Sequence, residues 1–361
     1  MPDPTPTISV VIPCFNYAPY VASAIESALS QSYPNKQVVV VNDGSTDDSL
    51  EVISRYADRV QLLDQPNQGS MAAYNRGFAA TRGELILFLD ADDLLAPDAL
   101  ARIAQAWSPD CAKIQYDLRI IDGAGRDLGR RFCNFTPDYD AARVRRAFRR
   151  TGTYRWPVTV GNAYSRWFLE PLWPLAIEHG ADGTLNTVAP VYGEVVTIAE
   201  PLGAYRIHGE NRWASNSHTG LRLPERIEHR RAEEEFMRRH AAARGVPVPE
   251  QSILDHELAF INYRFMAHKL GLAYPDSAGD STLSLLWQAG RALIEERLPL
   301  RQTLTHLLWF CTLAPAPRSA ARSLIHLRFE RAALQQALER KLRSAWQRLP
   351  LRHRTAEGRS R

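Results

Sequence analysis

Glu84-Leu85-Ile86-Leu87-Phe88-Leu89-Asp90-Ala91-Asp92-Asp93 passes from an unbroken apolar run into three closely spaced carboxylates. Its apolar half is too short for an ordinary helix and reads as a strand buried on both faces, after which carboxylates crowd the strand's end. Working outward, similar apolar runs occur at Ile8 to Pro13, Gln37 to Val41 and Val60 to Leu63, with Glu84 to Leu89 as the fourth. Helical patterns fit between them at Tyr20 to Gln31, Asp47 to Arg55 and Met71 to Ala80, each entered through polar, Pro or Gly residues. This rhythm predicts an open α/β domain, a parallel sheet covered by helices. Ligands of such sheets gather at the carboxyl ends of the strands. Here those ends read Pro13-Cys14-Phe15-Asn16, Asn42-Asp43-Gly44-Ser45 and Asp90-Ala91-Asp92-Asp93.

From Lys113 to Tyr205 the pattern is mixed, with short strands expected at Lys113 to Ile121 and Val191 to Ile198. Aromatic-rich loops surround Trp156, Trp167 and Trp173. Beyond Leu223, apolar residues three and four apart predict helices at Glu225 to Ala243, Ile253 to Gly271, Leu283 to Arg297 and Ser319 to Leu349. The expected division is therefore an α/β domain over 1–222, a helical region over 223–318 and a basic tail over 319–361.

The 361 residues, 45% hydrophobic and 23% charged, have globular composition, which excludes overall disorder. Cys14, Cys111, Cys133 and Cys311 lack any metal-ligand spacing and suit reduced thiols in the core. Met1 to Thr7 carries no basic segment followed by an apolar run, so a cytoplasmic location is expected. Leu307 to Leu313 falls far short of the roughly 20 residues that span a bilayer.

Each acidic turn admits two readings. Asp90 and Asp92, two apart at a strand end, can face one pocket and offer hard oxygen ligands to Mg2+ or Mn2+ while a diphosphate completes the shell. The plain alternative is helix capping ahead of Pro97, which is the reading given to Asp93. Asp43 either closes an Asp-Gly turn or accepts hydrogen bonds from a base or ribose. A second acidic turn on the same sheet edge favours the nucleotide. No GxGxxG follows the first strand, which argues against a dinucleotide enzyme. Paired aspartates after a strand also suit an aspartate-based phosphatase, but that class leaves Asp43-Gly44-Ser45 and Asn67-Gln68-Gly69 without a role.

The ordered series Ser9 to Asn16, Val39 to Asp47, Asn67-Gln68-Gly69, Ala73 to Gly77 and Gly83 to Asp93 resembles the family 2 glycosyltransferases of GT-A fold. The likeness is close over Ile8 to about Asp98 and looser to Asn211. It implies a Rossmann-like open mixed sheet flanked by helices, here with a C-terminal helical extension. It further implies inverting, metal-dependent transfer of one sugar from a nucleotide-diphosphate sugar, UDP-sugar favoured, to an acceptor hydroxyl. Asp43 then recognises the base, and Asp90 and Asp92 of the DxD motif serve ribose and metal. Pro13, Asn16, Asn67, Gly69 and Asn75 fall in the nucleotide-binding segments. The catalytic base falls on Asp182, which read locally is equally a helix N-cap before Leu185 to Val188. His208, in Tyr205-Arg206-Ile207-His208, suits metal or diphosphate contact, or a structural role.

Two departures concern donor identity: Ala181 stands where the family usually has Glu, and Tyr74 where it often has Arg. The QxxRW signature of processive members keeps Arg212-Trp213 but has Gly209 for Gln, which favours single-sugar transfer. Aromatics from Trp156 to Trp173 either face the acceptor, where flat apolar rings complement sugar faces, or pack in the core; the acceptor is expected to be a glycan or lipid-linked glycan of bacterial surface polysaccharide or glycolipid biosynthesis. The rival, non-enzymatic reading is a membrane-associated glycan-binding or scaffold protein with an inactive fold.

The net charge of +4 is uneven: from Ala321 onward eleven Arg or Lys oppose three Glu. Leu324, Leu327, Leu334, Leu338, Leu342 and Trp346 give this tail an apolar stripe. Two uses are expected for it: packing on the main domain, or meeting an anionic membrane surface rather than nucleic acid, which would make the protein peripheral on the inner face of the cell membrane.

Overall fold

The computed structural model describes residues 5–175, 181–208, 222–296, 298 and 300–328. They form two compact units: the residues up to His208 with His229–Ile253, and residues 222–228 with those from Leu254 onward.

The first unit is built on one sheet. Strands β1 (Ile8–Cys14), β2 (Lys36–Asp43), β3 (Gln61–Gln65), β4 (Leu85–Phe88), β5 (Leu94–Leu95), β6 (Cys111–Asp122), β7 (Asp127–Arg131), β8 (Asn162–Ser165) and β9 (Glu194–Ile207) lie in the order β3-β2-β1-β4-β8-β6-β9-β5, with β7 on β6. β1 to β4 are mutually parallel, β8 runs against β4 and β6, and β9 is parallel to β6. The carboxyl ends of β1, β2, β4, β6 and β9 therefore share one edge.

Alternation along the strands builds a core on each face. Val10, Ile12, Val38, Val40, Leu85 and Leu87 pack with Val21, Ala24, Ile25 and Ala28 of α1 (Ala18–Leu29). Val11, Ile86 and Phe88 pack on the other side with Tyr74 and Phe78 of α3 (Ser70–Ala79). α2 (Ser49–Ser54), α4 (Ala99–Ala106), α5 (Ala141–Thr151), α6 (Arg166–Leu169) and α7 (Ala181–Tyr192) complete the layers. From His229 onward, α8 (Leu223–Ala243) also belongs to this unit.

The expected strand from Val191 is corrected: Val191 and Tyr192 end α7, and β9 starts at Glu194. The cause is that α7 continues through Pro190, so a β-branched residue that looks like a strand start is a helix end. The expected helix from Ile253 is likewise split, into a single 3-10 turn at Ile253–Asp255 and α9 (Leu258–Leu270).

The second unit is helical. α9, α10 (Thr282–Glu296), α11 (Leu300–Leu313) and a helix over 318–328 pack around Phe265, Leu285, Leu293, Phe310, Leu313 and Ile325. α11 is absent from the sequence expectations. The tail expected to be helical to Leu349 lies, past Arg328, outside the described residues.

Candidate active site

Asp43 ends β2 and is buried, its Oδ1 accepting hydrogen bonds from Gln65 Nε2 (2.7 Å) and the Gln68 backbone N–H (2.9 Å). The carboxylate is thus fixed against the turn that follows β3. Gly44 makes this possible: its φ is +68°, and a Cβ there would lie 2.4 Å from Asn67 N, so only glycine lets the two turns meet. Asn67 Oδ1 accepts from the Gly69 N–H at 3.1 Å and shapes the entry to α3. At the end of β1, beyond Pro13, Asn16 adopts a left-handed conformation. Its Oδ1 accepts from the Thr46 N–H at 2.7 Å, tying β1 to the loop after β2. Asn75 exchanges two 3.0 Å hydrogen bonds with the backbone of Leu175. The side chains of Asn16, Asn67 and Asn75 therefore hold the walls in shape.

The acidic turn after β4 lies between α3 and β9. Tyr74 Oη donates to Asp90 Oδ1 at 2.8 Å. Burial and the neighbouring Asp92 charge still push the Asp90 carboxyl up to about 7. Asp92 is also buried. Its Oδ2 lies 2.9 Å from His208 Nε2, and its backbone oxygen accepts from Arg206 Nε at 2.6 Å. Tyr20 packs on the His208 ring with centroids 4.9 Å apart, while the Arg206 guanidinium stands 5.0 Å from the Tyr20 ring centroid.

Asp93 corrects the capping expectation. The residue at the N-cap of α4 is Asp98, and the short strand β5, paired Leu94↔Ala204 with β9, separates Asp93 from that helix. Asp93 instead accepts from the Arg206 N–H at 2.8 Å through Oδ1, whereas its buried Oδ2 has no protein partner. Burial, Asp92 and Asp90 raise its carboxyl well above the ordinary range.

Asp182 sits partly buried in the first turn of α7. Burial raises its pKa, opposed by hydrogen bonds from the Gly183 and Asp182 N–H groups and by the charges of His229 and Lys113. Its own charge raises Asp90 and Tyr74 in turn, so it shares the electrostatic field of the acidic turn.

Behind α7, the fully buried Lys113 on β6 donates to Gln115 Oε1 (3.0 Å) and Tyr154 Oη (3.1 Å), and Tyr154 donates to the Asn186 carbonyl at 2.6 Å. Burial drives the Lys113 ammonium well below its usual pKa. Arg230 bridges Glu233 at 2.6 Å, and Glu233 occupies the space a Gly183 Cβ would need.

Tyr74, Arg206 and Lys113 were missed as site-shaping residues. A cation inside the apolar run of β6 was the one available signal for Lys113. Of the two uses expected for these aromatics, Trp173 takes the packing one: partly buried, it stacks on Phe88 at 5.8 Å and 7° against the core. A cavity of about 690 Å³ lined by Trp167, Tyr192 and Glu194 lies at the amino ends of β6 and β9, away from the acidic edge.

No three His, Cys, Asp or Glu side chains converge into a ready-made metal cage among the described residues. The oxygen and nitrogen donors present at this edge are those of Asp92 and His208, in contact at 2.9 Å, beside Asp90 and Asp93. Mg2+-like ions commonly take one or two carboxylates and leave their other positions to water and substrate phosphates. Crowded carboxyls with raised pKa values, one oxygen of Asp93 unpartnered, fit a site short of positive charge.

The family model described as glycosyl transferase family 2 matches residues 9–168. An uncharacterized glycosyltransferase of Nostoc is 37% identical over 218 residues, covering 58% of this chain and 67% of that protein. The chondroitin synthase of Pasteurella multocida is 41% identical over 98 residues, 26% of this chain and 10% of the synthase. Among solved structures, a Pyrobaculum calidifontis mannosyltransferase in complex with GDP-Man and Mn2+ aligns at a TM-score of 0.49 and 18% identity, over 94% of this chain and 89% of that one. With the mixed sheet flanked by helices, the family match and the extent of the Nostoc relative make the chain a GT-A glycosyltransferase that belongs to glycosyl transferase family 2.

Proposed function

We propose that this enzyme transfers a single sugar, with inversion, from a nucleotide-diphosphate sugar to an acceptor hydroxyl, a UDP-sugar being the favoured donor. The observation that carries the proposal is the acidic edge itself, with Asp43 fixed by Gln65 and Gln68 at the end of β2, and Asp90 held by Tyr74 and Asp92 by His208 after β4; the Asp182 charge in the first turn of α7 is felt there. The Asp182 carboxylate takes the acceptor hydroxyl's proton, the freed oxygen bonds to the anomeric carbon, and the bond from that carbon to the diphosphate breaks with its electron pair leaving on the diphosphate. Asp43 receives the base, and Asp90, held by Tyr74, faces the ribose. Asp92 and His208 would hold Mn2+ or Mg2+, which supplies neutralisation of the departing charge. Pro13, Asn16, Asn67, Gly69 and Asn75 keep the nucleotide pocket in shape.

The acceptor proposed is a glycan or lipid-linked glycan in bacterial surface polysaccharide or glycolipid synthesis, with the protein cytoplasmic at the inner face of the membrane. The basic tail, mostly outside the described residues, would contribute to that placement. No helix among the described residues is long and apolar enough to cross a membrane. Arg212-Trp213 lies outside the described residues, and single-sugar transfer rests on Gly209 at the Gln position.

The test is hydrolysis of UDP-, GDP-, dTDP- and CDP-sugars by the purified protein with and without EDTA. Turnover of one nucleotide class that EDTA abolishes is the expected result. No turnover of any of them, or turnover indifferent to EDTA, contradicts the proposal.

A further inference from the structure

α11 buries Phe310 and Leu313 but leaves Leu300, Leu304, Leu307 and Leu308 exposed at 73, 55, 43 and 70%. These positions follow the i, i+4, i+7, i+8 spacing of one helix face. α10 carries a similar stripe, Leu283, Trp287 and Ile294, exposed at 79, 64 and 79%. Single exposed leucines need no explanation, but stripes of large apolar side chains on successive helices mark a surface that meets something.

Charge decides what that is. α10 itself carries Arg291 with Glu295 and Glu296 and supplies no positive excess, but from Arg297 to Arg328 the chain has five arginines and no Asp or Glu, and Arg301 and Arg322 are exposed. Residues 329–361 carry nine Arg or Lys against three Glu. A second copy of the stretch from α11 onward would bring like charges together, and so would the chain's own tail. An anionic surface attracts both.

We propose that the exposed stripes of α10 and α11 are a membrane-docking face whose leucines enter the headgroup boundary of an anionic bilayer while nearby arginines meet lipid phosphates. This goes beyond the basic tail, because the apolar contact is assigned to folded helices of the second unit. It also stands apart from the sugar-transfer chemistry, so either can fail alone.

The test is co-sedimentation of the full chain with phosphatidylcholine–phosphatidylglycerol vesicles and with pure phosphatidylcholine vesicles, alongside light scattering to follow oligomeric state. Wild type should bind the anionic vesicles and bind less as salt rises. The double variant Leu304→Gln/Leu308→Gln, neutral and at exposed positions, should bind them at least about tenfold more weakly with donor hydrolysis unchanged. Leu283→Gln/Trp287→Gln on α10 should weaken binding as well and gives a second variant if the first folds poorly. Absence of wild-type binding to anionic vesicles overturns the proposal, as does unchanged binding of both variants. Equal binding to pure phosphatidylcholine overturns its charge argument. Removal of residues 329–361 that abolishes binding which the leucine variants keep assigns the contact to the tail and overturns it. A wild-type dimer that the variants dissolve, with no vesicle binding, assigns the face to a second copy and overturns it too.

Discussion

His208 Nε2 lies 2.9 Å from Asp92 Oδ2, and the two side chains are only 6 and 9% exposed. The contact ties the end of β9 to the acidic turn after β4, 116 residues earlier. Asp92→Asn can keep a hydrogen bond to His208 while removing the anionic oxygen proposed to hold the metal and one charge from a crowded cluster. Donor turnover should fall at least about tenfold at limiting metal, because a hard cation loses an anionic ligand. The melting temperature without metal should hold or rise. Normal turnover across a Mn2+ titration would assign Asp92 a purely structural role.

Tyr74 gives Asp90 its one hydrogen bond from α3. Tyr74→Phe should cost about 1 kcal/mol of stability, the usual net worth of such a bond, and weaken donor binding several-fold. Urea denaturation and the donor KM check both. Wild-type values in both measurements would mean that the phenol does not hold the carboxylate.

The raised carboxyls make stability depend on pH in a stated direction. The folded protein keeps a proton on Asp90 between the ordinary value of 3.8 and about 7, where the unfolded chain has released it. Asp93 is displaced in the same direction. Stability without metal should therefore fall as pH rises through this window. His240 and His306, whose pKa values are lowered from 6.5 by burial, pull the opposite way near that value. The informative comparison is thus with Asp90→Asn, which keeps the histidine contributions. Wild type should lose more melting temperature between pH 5 and pH 8 than the variant. Equal slopes would refute the raised Asp90.

The first hundred residues were legible because strand alternation and turn chemistry are local. Val10 and Val11 face opposite cores as their spacing requires, and Asp43 and Asp90 stand at strand ends. Long-range contacts were not legible. Asp93 looked like a cap, and only the pairing of β5 with β9 turns it toward Arg206. Nothing near Tyr74 in the sequence reveals that it reaches Asp90, and Trp173 gave no sign that it stacks on Phe88. Val191 misled because β-branched residues that favour strands also occur in a helix held by tertiary packing.

In the proposed reaction Asp182 makes the bond-forming step possible while Asp43 and Asp92 hold the donor. The most direct measurement is single-turnover sugar transfer by Asp182→Asn, with donor affinity measured in parallel. Asparagine keeps the size and loses the basic oxygen, so transfer should fall at least about a hundredfold with donor affinity nearly unchanged. Turnover near that of wild type, together with a stability loss of about 1 kcal/mol from the first turn of α7, would contradict the account and make Asp182 a structural residue.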